Sequence, residues 1–162
     1  MTSLKYTQAQ DRRGPRVRAL AGAALLAGLL AGCATVEEAA VEATTKTYHA
    51  TLTGAQEPGG GDADGAGKAE VSVAKNLDQI CYEVKGLTGL GTITMAHIHR
   101  GAVGENGPPV LTLKVANEGG FKGCDTAPEW LQDALKSNFS GYYVNVHTSE
   151  YPNGAIRGQL GL

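Results

Sequence analysis

From residue 46 onward the chain is cut into short runs in which apolar side chains recur at every second position. Glycine, proline, asparagine or aspartate closes nearly every run. Tyr48, Ala50 and Leu52 alternate in this way, as do Ala69, Val71 and Val73, then Ile80, Tyr82 and Val84, then Ala96 and Ile98, then Val144 and Val146. A period of two places one set of side chains on one face of a strand, and frequent turn residues keep the strands short. Residues 46–162 make one domain, so the pattern predicts an all-β antiparallel sandwich of about seven to eight strands. Only residues 128–139 break it. There Trp130, Leu131, Ala134 and Leu135 follow a helical period, Asp125 or Thr126 can cap, and Pro128 suits the first turn. Residues 59–67 read as a flexible, solvated acidic loop, and residues 116–126 as a loop carrying Cys124.

The region before this domain has a different composition. Lys5, Arg12, Arg13, Arg16 and Arg18 precede the apolar run 19–30, which is too short to span a bilayer. Leu30-Ala31-Gly32-Cys33 has the form of a bacterial lipobox. Residues 1–32 are therefore expected to be a lipoprotein signal peptide, with Cys33 lipidated and residues 33–45 a flexible tether. The expected location is the cell envelope, anchored in a membrane and facing the periplasm or exterior, with the outer membrane favoured by Ala34 after the cysteine. The whole chain has 14 Lys and Arg against 16 Asp and Glu. Removal of the leader takes five basic residues and one acidic one, leaving 9 against 15 and a net charge of −6. Such a surface does not suit nucleic acid, which calls for a basic face. In an oxidising compartment the two remaining cysteines, Cys81 and Cys124, are expected to form a disulfide.

Three of the four histidines fall on strands with matched parity. His97 and His99 are two apart in Ile-Thr-Met-Ala-His-Ile-His, and His147 lies in Tyr-Tyr-Val-Asn-Val-His-Thr. With Ile98, Val144 and Val146 in the core, all three imidazoles point to the opposite, outer face, together with Met95, Tyr143 and Asn145. Arg157 reaches the same face by the parity of its own run. Cys81 also points outward, so the loop holding Cys124 is expected to lie over or beside the histidines. Residues 101–107 are expected to form a wall of the same site, and Met95 to pack. Three imidazole nitrogens with an open position suit copper, and zinc as second choice.

Several motifs identify the domain by resemblance. L-T-G-A-Q-E-P at 52–58, C-Y-E-V-K-G-L at 81–87, A-H-I-H-R-G-A-V-G-E-N-G-P at 96–108 and G-Y-Y-V-N-V-H-T-S-E-Y-P-N-G-A-I-R-G-Q-L at 141–160 resemble the CHRD (chordin-repeat) domain. The resemblance covers nearly all of residues 47–161, with one departure: the family's Q-E-V-P is Gln56-Glu57-Pro58 here. It implies an Ig-like or superoxide-dismutase-like β-sandwich in an extracytoplasmic protein, and no settled activity. The copper/zinc superoxide dismutases offer a fold-level analogy, with His97, His99, His147, the cysteine pair and Arg157 in the corresponding places. However, no histidine stands between Gly101 and Val146, so that family's bridging histidine and zinc cluster have no counterpart. Three functional classes follow. The first is a lipid-anchored binding protein holding a metal at His97, His99 and His147, with Tyr143, Asn145 and Arg157 at its rim. The second is a metal-free envelope interaction module using the same face, with no partner specified. The third is a dismutase-like redox enzyme.

Overall fold

The computed structural model describes residues 45–162. The expected signal peptide, Cys33 and all of the expected tether but Thr45 lie outside the described residues. Among the described residues, no helix is long and apolar enough to cross a membrane.

Eight antiparallel strands form one sheet that curls on itself so that its apolar face lines a single core. They are β1 (Thr45–Thr53), β2 (Ala66–Ala74), β3 (Gln79–Thr88), β4 (Ile93–Arg100), β5 (Pro109–Thr112), β6 (Phe121–Thr126), β7 (Tyr142–Thr148) and β8 (Ile156–Gln159). Their order is β5-β4-β7-β8-β1-β2-β3-β6. The segment after β5 crosses from one edge to the other. Leu113 N–H donates to Ala96 of β4, and Lys122 N–H of β6 donates to Lys114. The sheet thus closes at one end, which leaves it sandwich-like in section. This is the predicted architecture, and the apolar alternation decides it. Tyr48 and Leu52 of β1, Val71 and Val73 of β2, Ile80 of β3, Ile98 of β4 and Val144 and Val146 of β7 are all buried in one cluster.

Three local expectations are corrected. Residues 121–126 are strand β6, not loop. Cys124 lies directly opposite Cys81 on β3 and is bonded to it. The disulfide lies among Glu70, Ser72, Glu83 and Lys122, with no histidine beside it, so it does not lie over the histidines. Helix α1 spans Glu129–Ser137, and its N-cap is Pro128 with no side-chain cap. Asp125 is engaged elsewhere, accepting from Tyr82 Oη at 2.7 Å and pairing with Lys114. Leu131 and Leu135 enter the core as expected, but Trp130 is exposed. The buried polar residue of the helix, Gln132, donates to the Ala127 carbonyl at 2.7 Å. Residues 59–65 are tied down rather than free: Gly61 N–H donates to Gly54 O, and Asp62 N–H to Ala155 O at 2.8 Å.

Candidate metal centre

The register of β4, β7 and β8 builds the site. His97 faces Asn145 and His99 faces Tyr143 across the β4–β7 pair, while Met95 faces His147. On the other side of β7, Asn145 faces Arg157 and Tyr143 faces Gln159. Parity therefore brings together on one face every histidine and rim residue expected there. The fourth histidine, His49, is exposed on β1 beside Glu70.

The outer face of β7 is not wet, which corrects the simplest form of the parity argument. Every residue of β7 is buried, on both faces. Residues 101–108 fold back across the sheet and are held by side chains rising from it. Arg157, 1% exposed, donates from Nη1 to Glu105 O at 2.9 Å and from Nη2 to Ala102 O at 3.3 Å. Gln159 Nε2 donates to Gly101 O, and Gly107 N–H donates to Tyr143 Oη at 3.1 Å. The return of the loop demands glycine at 107, where a Cβ would lie 1.6 Å from the Arg100 carbonyl oxygen. The loop is a wall of the site, as its position next to His99 suggested.

Hydrogen bonds to carbonyls set the tautomers. A carbonyl oxygen can only accept, so His99 Nδ1, 2.8 Å from Gly107 O, carries a proton. His147 Nδ1, 3.0 Å from Pro152 O, does the same. Both rings are left with a bare Nε2. That of His147 lies 3.1 Å from His97 Nδ1. That of His99 is buried with no hydrogen-bond partner among the described residues. One nitrogen from each of the three rings lies within 4.8 Å of the other two. A metal bonded at about 2.0–2.1 Å to tetrahedrally disposed nitrogens sets them about 3.3 Å apart.

Stacking and burial complete the setting. Tyr143 is sandwiched between His99, ring centroids 4.9 Å apart and nearly parallel, and Arg157, whose Cζ is 3.5 Å from the ring centre. Burial, reinforced by the neighbouring His147 and His99, pushes His97 down to about 4. Burial also lowers His99, against the Gly107 hydrogen bond and with help from His147 and Arg157. His147 is lowered by burial, against its bond to Pro152. The three rings are neutral at pH 7: His99 and His147 present bare Nε2 atoms, while His97 Nδ1 donates its proton to His147 Nε2 and leaves its own Nε2 bare.

Glu57 belongs to this region and is marked in the sequence only as part of the motif at 52–58. Its carboxyl is buried, and burial pushes it up to about 7 against the attraction of Arg157. It lies beside Asn145 around Gly154, where a Cβ would sit 2.6 Å from Glu57 Oε1 and 2.8 Å from Asn145 Nδ2. Glu57 Oε1 and Asn145 Oδ1 are both buried without a partner among the described residues. The signal available was the motif L-T-G-A-Q-E-P, which contains Glu57. A cavity of about 590 Å³ lies on the β3–β6 side, where Glu83 is paired with Lys85 and Lys122.

These shifts predict a pH dependence of stability. A histidine lowered in the fold binds fewer protons there than in the unfolded chain. Its contribution is present above pH 6.5 and is lost as pH falls through the folded value, about 4 for His97. Glu57 acts oppositely: raised from 4.5 to about 7, its contribution is present below 4.5 and lost as pH rises through 7. With three histidines against one carboxyl, the urea midpoint should fall between pH 6.5 and 4.5. In Glu57→Gln the fall should be steeper. A midpoint that rises over this interval would contradict the neutral-histidine assignment.

Together, the curled antiparallel sheet and the lidded cluster of three neutral imidazoles define a β-sandwich-like domain with a preformed three-nitrogen site. Residues 48–160 match the family model described as CHRD domain, and the chain belongs to the CHRD domain family. No curated protein and no solved structure matches the chain.

Proposed function

We propose that this chain is a lipid-anchored, extracytoplasmic CHRD-domain protein that binds a transition metal at His97, His99 and His147, with copper preferred to zinc. The observation that carries the reading is the pair of carbonyl-fixed tautomers, which leave His99 Nε2 and His147 Nε2 unprotonated beside His97 Nδ1. Ligating histidines characteristically donate their other N–H to a carbonyl or carboxylate, which fixes the ring and raises its basicity. Three neutral imidazoles without a carboxylate suit copper or zinc rather than magnesium or calcium. Tyr143 supports His99 by stacking, and Arg157 holds the loop that carries the Gly107 carbonyl. Asn145, directly opposite His97, offers an acceptor to a further ligand of the metal. The lipobox at residues 30–33 supports the anchor, and the leader supports an envelope location facing the periplasm or exterior.

The test is elemental analysis of the full chain purified without chelator from its own membrane fraction, followed by metal titration. The wild type should carry close to one metal ion per chain, and His97→Ala/His99→Ala/His147→Ala none. Equal stoichiometry in the two proteins would overturn the reading.

A further inference from the structure

We propose that Met95 supplies a thioether as a fourth, soft ligand at this site and makes it selective for monovalent copper. The inference rests on the three-histidine reading and extends it to the oxidation state of the metal. In β4, Ala96 and Ile98 enter the core at 0% and 1% exposure. Met95 therefore shares the outer face with His97 and His99. The register sets it directly opposite His147. Side chains so opposed have Cβ atoms about 4.5–5.5 Å apart, and the three rotatable bonds of methionine let its sulfur sweep the space between.

Two further observations single this residue out. Met95 is 45% exposed, so it does not fill the core and does not pack as its apolar character suggested. It stands at the end of the histidine row away from residues 101–108, which cover the His99–Tyr143 end. The pairing of β4 with β7 is also irregular between Ile93 and Met95 and regular from there on. Such irregularities re-aim the side chains beside them and are common next to functional sites. The result is a flexible, exposed sulfur at the end of the histidine row away from residues 101–108, opposite the anchored ring of His147. Thioether sulfur is a soft donor that favours Cu(I) and adds little for zinc.

The experiment compares the full wild-type chain, Met95→Leu and the triple histidine-to-alanine variant, each in detergent. Cu(I) affinity is measured anaerobically by competition with a chromophoric Cu(I) chelator, and Zn(II) affinity with a zinc-responsive dye. Loss of a supporting outer-shell group weakens metal binding about 10–100-fold, and loss of a direct ligand should reach at least the lower figure for Cu(I) while Zn(II) stays within about twofold. X-ray absorption of the Cu(I) form should show sulfur scattering in the wild type and none in Met95→Leu. Equal Cu(I) affinity in wild type and Met95→Leu, or an equal loss for both metals, would overturn the role of Met95 and leave the histidine site standing. A wild type that takes up neither metal would overturn the histidine site itself, and Met95 with it.

Discussion

Arg157→Met should destabilise the domain by about 3 kcal/mol and uncover the histidine site. The guanidinium is fully buried, yet no carboxylate hydrogen-bonds to it. Its donors go to the carbonyls of Ala102 and Glu105, with Gln159 Oε1 at 3.5 Å, and its plane stacks on Tyr143. Hydrogen bonds from a charged donor are worth about 1.5–3 kcal/mol each, and a desolvated cation over an aromatic ring about 2 more. Against this stands the desolvation of the guanidinium, which methionine relieves while keeping much of the stem. The stabilising terms win because the substitution also strands the Glu105 carbonyl, whereas Ala102 O keeps the Glu105 N–H. Residues 101–108 would then be held mainly by Arg100 N–H to Pro108 O, Gly101 N–H to Gly141 O and the Gly107 contacts. Urea unfolding measures the loss of stability, and amide exchange at Gly107 reports the loop. A loss below about 1 kcal/mol with Gly107 still protected would show that the loop does not depend on the arginine. Arg157→Lys should fall between the two, since an ammonium keeps the charge but not the planar fork.

Removal of the disulfide should have an effect of similar size and no effect on the metal. Cys81→Ser/Cys124→Ser frees a link between residues 43 apart in sequence, worth about 2–4 kcal/mol. The bond joins β3 to β6 on an outer face, beside Glu70, Ser72, Glu83 and Lys122 rather than the three histidines. The urea midpoint should therefore drop while metal stoichiometry and affinity stay at wild-type values. A parallel loss of metal binding would revive the expectation that the Cys124 segment covers the histidines. Reduction of the wild type should reproduce the variant's midpoint, which separates loss of the bond from any effect of the serines.

How much of this was legible depended on whether a residue's role is local. The alternation Ala96-His97-Ile98-His99 is visible in four letters, because backbone geometry sends neighbours to opposite faces. The same holds for Val144-Asn145-Val146-His147, so the shared face of the three histidines was readable. Strand β6 was not. Phe121-Lys122-Gly123-Cys124-Asp125-Thr126 has one large apolar residue, because Gly123 packs against Tyr82 and Asp125 takes the Tyr82 hydroxyl in place of a core side chain. Glu57 was hidden for another reason. Its burial comes from Gly154 and Asn145, nearly a hundred residues away in sequence, and no local pattern marks a carboxyl for desolvation. Met95 looked like a packing residue because apolar character alone does not tell whether a partner layer lies above it.

The sequence by itself determined the strands other than β6, the one core, the pairing of Cys81 with Cys124 and the common face of His97, His99, His147, Tyr143, Asn145 and Arg157. All but the cysteine pairing are consequences of period-two alternation and burial of apolar area, which act residue by residue. The cysteine pairing follows from Cys81 and Cys124 being the only two cysteines after Cys33. Only the tertiary structure decided that this outer face is dry, that the disulfide lies elsewhere, and which nitrogen of His99 and His147 is bare. Those outcomes depend on where residues 101–108 and the Pro152 carbonyl come to rest. A loop's resting place is set by contacts between distant strands, here Arg157 and Tyr143 with the backbone of the loop.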